Sequence, residues 1–328
     1  MSAATALALA SCKEGGKENA SGDTKTIVLL DPKNMDTTVK PGDNFFLYAN
    51  GTWLKNNPIP GTETRWGSFN ELQENNYKAL HELLDEAAAD KNAGAGSAKQ
   101  KVGDLYRSGM DSVAVDKAGV TPLQEEFAKI DAATDAKGIM DVIATGYVNG
   151  NGQLFGFYVG PDDKNVTQNI GQFYQGGLGM PDRDYYFNKD ERSVKIREAY
   201  KKYLVTMLSL MGEDSATAKK DAADIYKLEE SLAAASLTRV EMRDPYKLYN
   251  KYSVEGVNKL TPNIDWKSMF QNLKIASEDS CIIATPKFFA EVSKQLKATS
   301  IDVWKKYLKF HTFNDAAPYL ASNIDNAH

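Results

Sequence analysis

The sequence predicts a mainly α-helical protein with a minor antiparallel β element. Apolar residues recur at helical spacing along most of the 328 residues, residues that favour helix N-caps precede many of these stretches, and β-prone runs are few. A hydrophobic content of 42% is enough for a substantial core. At this length, one large domain and two smaller domains are both compatible with the composition.

The clearest predicted helix begins at Ser68. Ser68 and Glu71 have the spacing of a capping box. Apolar residues then follow at helical spacing, namely Phe69, Leu72, Leu80, Leu83, Leu84 and Ala87. Further helices are predicted to begin at or near Ser97, Thr121, Asp135, Ser193, Asp214, Asp265, Thr285 and Ser300. Gly212 is predicted to end the helix before it.

Strands are predicted in two places. Residues 154–159 and 166–173 flank the turn-rich segment GPDDKN, a pattern typical of a β-hairpin. A third strand is predicted at 280–284, where Cys281 is expected to be a small buried hydrophobe.

Charge and cysteine content exclude two classes of protein. The net charge is −5 and no run of lysines and arginines stands out, so nucleic acid is not expected as a partner. Two cysteines, Cys12 and Cys281, cannot form the framework of a disulfide-rich fold.

The amino terminus indicates a lipoprotein. Residues 1–11 are apolar but too short to span a membrane, and the run LASC that ends at Cys12 is similar to a bacterial lipobox. We expect a signal peptide over 1–11 whose start is incomplete, because no Lys or Arg precedes it. Cys12 would carry lipid, 12–33 would be a flexible tether, and the protein would be anchored to a membrane of the bacterial cell envelope, outside the cytoplasm. The alternative is a frayed terminus with an incidental cysteine.

The sequence offers no catalytic residue and no metal ligand. It contains three histidines, and His81 begins HELLD, which departs from the zinc motif H-E-x-x-H because Asp85 replaces the second histidine. We interpret this stretch as a solvated amphipathic helix. Nucleophile elbows, phosphate-binding loops and dinucleotide fingerprints are absent from the sequence.

Six segments nevertheless resemble, in order, the amino-terminal region of the neprilysin or endothelin-converting-enzyme family of zinc metallopeptidases, the M13 family. They are KPGDNFFLYANGTWL (40–54), TRWGSF (64–69), VGPDDKN (159–165), GLGMPDRDYY (177–186), RDPYKLYN (243–250) and AAPYL (316–320). Their order over most of the chain makes the resemblance specific.

The resemblance implies a fold of two mostly helical lobes around a cavity, in an endopeptidase that cleaves peptides. In that family, zinc is held by an H-E-x-x-H helix and a downstream glutamate in the carboxyl-terminal half, beyond residue 328. We therefore expect 34–328 to be the amino-terminal region, truncated, with about 34–240 packing with the missing catalytic half and about 241–328 beginning the second lobe. Alone, the chain is expected to be inactive and to hold no cofactor. A second hypothesis is a free-standing, non-catalytic peptide-binding or scaffolding lipoprotein.

The resemblance places one residue, Arg65, at the cavity wall as a contact for the substrate carboxylate or backbone. A guanidinium is always charged and can hold a carboxylate with two hydrogen bonds. Family members can carry a second arginine eight positions later, where this chain has Gln73. The alternative for Arg65 is a structural salt bridge.

Other residues of these segments have structural interpretations. Pro41–Gly42–Asp43 is predicted to be a turn with an N-cap, and Asn50–Gly51 to stop a helix. Packing roles are predicted for the aromatic residues Trp53, Trp66, Tyr185 and Tyr186.

Overall fold

A computed structural model describes residues 31–275 and 279–328. Cys12, the segment 1–11 and most of the tether predicted at 12–33 lie outside the described residues. The helices are α1 Phe45–Asn56, α2 Ser68–Ala89, α3 Ala98–Met110, α4 Ser112–Ala118, α5 Gln124–Asp131, α6 Ala136–Val148, α7 Asp184–Phe187, α8 Glu191–Leu210, α9 Ser215–Ala235, α10 Pro245–Leu248, α11 Val254–Leu260, α12 Trp266–Asn272, α13 Pro286–Ala298, α14 Ile301–Ala316 and α15 Ser322–Asp325. The strands are β1 Phe155–Asp162, β2 Asn165–Gln175, β3 Lys251–Ser253 and β4 Ser280–Ile283.

The mainly α-helical prediction is confirmed. The chain forms two compact units, the first ending at Ala87 and the second running from Ala88 to His328. Within the described ranges, no helix combines the length and the apolar character needed to cross a membrane.

Helix α1 in the first unit begins at an asparagine. The side chain of Asn44 accepts a hydrogen bond from the Leu47 N–H at 3.0 Å, so the N-cap is one residue later than the predicted Asp43. The helix then continues through Asn50 and Gly51 to Asn56, and the predicted stop is wrong.

Gly51 is explained by a close approach to Asp36. A Cβ atom at Gly51 would lie 2.6 Å from the Asp36 Cβ, which no side chain tolerates without movement. Asp36 is held in place by its own N–H, which donates to the Tyr48 carbonyl at 2.8 Å, and by Lys55, whose Nζ lies 2.6 Å from Oδ2. Gly51 therefore lets the segment around Asp36 pack closely against α1, and it does not end the helix.

Helix α2 is present as predicted, with a different start. Ser68 is its first residue, and the Gly67 carbonyl accepts hydrogen bonds from the N–H groups of Asn70 and Glu71. The helix thus begins one residue before the position that the capping box predicted.

Most helix starts predicted in the second unit are confirmed by a side chain that accepts from the first turn. These N-caps are Ser97, Asp135, Asp214, Asp265 and Ser300. Ser193 is not an N-cap, because Asp190 caps α8 and accepts from the Ser193 N–H at 2.9 Å. Gly212 follows the end of α8 with a φ of 106°, as expected of a helix stop.

The strands form one sheet in the order β1-β2-β4-β3. The predicted hairpin is confirmed, since β1 and β2 pair antiparallel from Phe155 opposite Gln175 onward. The predicted third strand is β4, which pairs parallel with β2 and antiparallel with β3. The sheet is therefore mixed, and it is larger than the hairpin alone.

The core of the second unit lies between this sheet and the longer helices. Phe173 of β2 packs edge-on against Trp266, with ring centroids 4.9 Å apart, and both are fully buried. Cys281 of β4 is also fully buried, which agrees with its predicted role.

Candidate functional site

Arg65 lies in the connection between α1 and α2, three residues before the first helical residue of α2. Its side chain is exposed to solvent. Among the described residues, no hydrogen bond or ion pair involves its guanidinium group, so the structural salt bridge considered from the sequence is not observed there. An unpaired guanidinium on a connecting segment remains available to an anionic group of a ligand.

A groove of about 480 Å³ surrounds Arg65, and its lining is Arg65, Trp66, Gly67, Ser68, Phe69, Asn70 and Gln73. Gln73 thus faces the same groove as Arg65, although its Nε2 already donates to the Tyr77 hydroxyl at 2.7 Å. The Phe69 side chain is 86% exposed at the groove. Arg65 is the one charged residue of this lining.

Trp66 also lines a second groove, of about 550 Å³. The second lining carries three carboxylates, Glu63, Glu71 and Glu74, and one ammonium group, Lys78. The two grooves that share Trp66 therefore differ in the charge of their linings, one positive and one negative.

None of the described histidines belongs to a metal-binding group. His81 Nδ1 lies 3.1 Å from Asp85 Oδ2 on α2, and both side chains are more than half exposed. In the described ranges, no group of three or more His, Cys, Asp or Glu side chains could hold a metal ion. The donor set of these residues does not fit a catalytic zinc site.

Two of the recognised segments meet at Asp162 in the hairpin. Its carboxylate accepts from the Tyr249 hydroxyl and pairs with Lys251, each at 2.8 Å, and it is almost completely buried. Lys251 and the Lys164 backbone N–H, followed by the Tyr249 hydroxyl, lower the pKa of Asp162 to about 2. The sequence indicated each segment but gave no sign that one carboxylate joins them.

A second buried carboxylate, Glu229 of α9, was also missed from the sequence. It is fully buried and accepts hydrogen bonds from the hydroxyls of Tyr186 and Tyr200 at 2.8 and 2.9 Å. His311 of α14 lies 3.0 Å away through Nε2. Burial, and then the Glu229 charge, raise the pKa of both tyrosines above the ordinary value, which keeps them protonated as donors. This polar cluster fixes the end of segment 177–186 against α8, α9 and α14.

Comparison with known proteins agrees with this arrangement of segments. The sequence model of peptidase family M13, in its amino-terminal part, matches residues 41–328. The chain belongs to peptidase family M13.

Curated relatives include endothelin-converting enzyme 1 of Rattus norvegicus, which is 28% identical over 307 residues. That match covers 90% of this chain and 39% of the relative. Neprilysin-3 of Drosophila melanogaster is 26% identical over 284 residues, covering 80% of this chain and 35% of the relative. The chain therefore spans about two fifths of the length of these relatives.

Solved structures share the fold. Zinc metalloprotease ZMP1 of Mycobacterium tuberculosis, in complex with an inhibitor, superposes with a TM-score of 0.81 and 29% identity, over 91% of this chain and 45% of that one. PepO of Lactobacillus rhamnosis superposes with a TM-score of 0.66 at 15% identity, over 87% of this chain and 45% of that one, and this likeness concerns the fold alone.

Proposed function

We propose that this chain is the amino-terminal, substrate-enclosing part of a secreted zinc metalloendopeptidase, and that Arg65 contacts the peptide substrate. The observation that carries the proposal is the exposed guanidinium of Arg65, which has no partner among the described residues and lines a groove, in a chain of family M13. The substrate carboxylate beyond the cleaved bond is the group that this guanidinium would meet. Gln73, in the same groove, could add a hydrogen bond but no charge.

Exposed apolar residues support a role for α1 and α2 in packing with a catalytic half. Phe69, Leu72, Leu80 and Leu83 are each more than half exposed, and their spacing puts them on one face of α2. Phe45 and Phe46 of α1 are also more than half exposed. Apolar surface of this kind is typical of protein interfaces. In this proposal, about 34–240 packs with the catalytic half, about 241–328 begins the second lobe, and zinc is bound by the catalytic half.

The cellular location is part of the same proposal. Residues 1–11 would direct export, Cys12 would receive lipid, and 12–33 would tether the folded units to a membrane of the cell envelope. The test is detergent partitioning of the wild type and of Cys12→Ser, both expressed from the natural start. Partitioning of both proteins into the aqueous phase would exclude the lipid anchor.

The role of Arg65 is tested in a protein that includes the catalytic half. Arg65→Gln should lower kcat/KM by roughly ten- to hundredfold, because a charge-assisted hydrogen bond contributes about 1.5 to 3 kcal/mol. The loss should be larger for peptides that end with a free carboxylate just beyond the cleaved bond than for the same peptides amidated. Arg192→Gln, at an exposed arginine of α8, is the matched control and should leave kcat/KM unchanged for the free and for the amidated peptides.

Two results would contradict this role. An equal loss on free and amidated peptides would show that the charge of Arg65 does not meet the carboxylate. A lower melting temperature for Arg65→Gln than for Arg192→Gln would identify Arg65 as a structural residue.

The chain alone should cleave no peptide. Peptidase activity of the purified 328-residue chain that a chelator abolishes would contradict the proposal. Peptide binding by the chain, together with a gene that encodes no catalytic half, would favour the free-standing peptide-binding or scaffolding lipoprotein.

A further inference from the structure

A cavity of about 360 Å³ lies in the second unit where β4 ends and α13 begins. Part of its lining is apolar and comes from Ala235, Leu237, Ala284 and Pro286. The volume is at the lower end of the range for ligand pockets, which suits one amino-acid side chain with a small polar head.

The amino terminus of α13, which borders this cavity, is incompletely capped. Thr285 occupies the N-cap position but its side chain caps no N–H group. Within 31–275 and 279–328 its hydroxyl has no hydrogen-bond partner, although the residue is only 2% exposed. Pro286 has no N–H, and the Phe288 N–H donates to the Thr285 carbonyl at 3.0 Å. In the part of the chain that the structure describes, the Lys287 N–H makes no hydrogen bond. A helix start with unsatisfied donors favours a negatively charged ligand.

The charges of the lining favour the same kind of ligand. Lys247 and Lys287 both line the cavity, against one carboxylate, Glu241. Glu241 is already satisfied, because its Oε2 accepts from the N–H and the hydroxyl of Thr238 at 2.9 Å. Lys247 lies 3.7 Å from Glu241, whereas Lys287 is exposed and forms no ion pair within the described ranges. The Lys287 ammonium group is therefore available beside the open helix start.

We propose that this cavity is a second peptide-binding subsite, which receives the free carboxylate of an apolar residue at the carboxyl terminus of a peptide. The carboxylate accepts from the backbone and side chain of Lys287, and from the Thr285 hydroxyl after that side chain rotates toward the cavity. The apolar side chain packs against Leu237 and Pro286. The choice of a peptide as the ligand rests on the proposed function, whereas the choice of an apolar carboxylate rests on this lining alone.

The test is a nuclear magnetic resonance titration of the purified 328-residue chain with N-acetyl-leucine. The backbone amides of Thr285, Lys287 and Phe288 should shift on binding, and N-acetyl-leucinamide should bind at least tenfold more weakly because it lacks the charge. Lys287→Gln should weaken the binding of N-acetyl-leucine by about tenfold. Lys267→Gln, at an exposed lysine of α12 away from this lining, should have no effect.

Thr285→Val separates ligand binding from folding. The side chain makes no capping bond that could be lost, so the melting temperature should stay the same or rise while the affinity for N-acetyl-leucine falls. A falling melting temperature together with unchanged affinity would overturn the role of the hydroxyl.

Other probes identify the source of the carboxylate. N-acetyl-glutamate α-amide carries only a side-chain carboxylate and should bind more weakly than N-acetyl-leucine; tighter binding would point to an acidic side chain of another protein segment and would overturn the proposal. Equal binding of N-acetyl-leucinamide would also overturn it. The titration needs no catalytic half, so its failure is distinct from a failure of the peptidase assay with Arg65→Gln.

Discussion

Glu229 and His311 face each other inside the second unit, with 3.0 Å between Oε1 and Nε2. They are 82 residues apart in the chain and sit on different helices, α9 and α14. A carboxylate with no solvent exposure is stable only where its hydrogen-bonding capacity is used, and Tyr186 and Tyr200 complete that requirement.

Replacement of this carboxylate should strongly destabilise the fold. Glu229→Gln replaces two acceptor oxygens by one acceptor and an NH2 donor that faces tyrosine hydroxyls which now donate to the carboxylate, and we expect a loss of about 3 kcal/mol in the free energy of unfolding. Urea denaturation of the wild type and of the variant measures this difference in the free energy of unfolding. Glu198→Gln, at an exposed glutamate paired with Lys201, should cost less than about 0.5 kcal/mol. Equal losses of stability in Glu229→Gln and Glu198→Gln would show that the buried cluster stabilises the fold no more than an exposed ion pair does.

Asp162→Asn should alter the dependence of stability on acid. The pKa of Asp162 is about 2 in the folded protein, below its ordinary 3.8, so the carboxylate stabilises the fold above pH 3.8 and this contribution is lost as the pH falls through 2. The variant should be less stable than the wild type at pH 7, and the difference should shrink between about pH 4 and 2. Chemical denaturation at several pH values measures it, with Asp163→Asn at the exposed neighbouring position as the control. A difference that does not change with pH would contradict the ion pair with Lys251.

Glu213→Gln should stabilise the fold at neutral pH. Burial, and then the nearby charge of Asp221, raise the pKa of Glu213 above its ordinary 4.5, and its Oε2 has no hydrogen-bond partner in the part of the chain that the structure describes. Because the folded state holds this proton more tightly, the wild type loses stability as the pH rises from about 4.5 through the raised pKa. We expect the variant to gain on the order of 1 kcal/mol at pH 7 and nothing below pH 4. The control Glu230→Gln, at an exposed position of α9, should gain no stability. A loss of stability in Glu213→Gln would refute the prediction.

Two glycine substitutions in helices should have opposite signs. Gly51→Ala places a methyl group 2.6 Å from the Asp36 Cβ, whereas Gly109→Ala in α3 meets nothing within 4 Å. The second should raise the free energy of unfolding by about 0.5 to 1 kcal/mol through helix propensity. The first should lower it despite the same propensity gain, because the Asp36 segment must move. Thermal unfolding of the two variants tests this prediction. Stabilisation by both substitutions would show that the Asp36 segment moves away from position 51 at little cost.

Local features of the fold could be predicted from the sequence because their causes are local. Asp214, Asp265 and Ser300 cap the helices that directly follow them, and each accepts from an N–H two or three residues away. The hairpin was predicted for the same reason, since its turn lies between the two strands that it joins. Where two local candidates compete, as Asp190 and Ser193 do at α8, the sequence pattern could not choose between them.

Features that depend on distant contacts could not be predicted. Gly51 looked like a helix stop because the close approach of Asp36 is a tertiary contact. The parallel pairing of β4 with β2 joins residues about 110 positions apart, such as Gln172 and Ile282. The role of Arg65 was predicted from a family resemblance, and the structure adds the groove that it lines and its exposure to solvent.

Trp66 lines two grooves of opposite charge, so its fluorescence can report binding at either groove. Of the four tryptophans, Trp266 and Trp304 have no solvent exposure, so their emission should resist quenching by iodide. In a Trp53→Phe background, the quenchable emission would come from Trp66. A peptide that enters either groove would change that signal, so binding at this part of the chain can be followed by fluorescence without any chemical step.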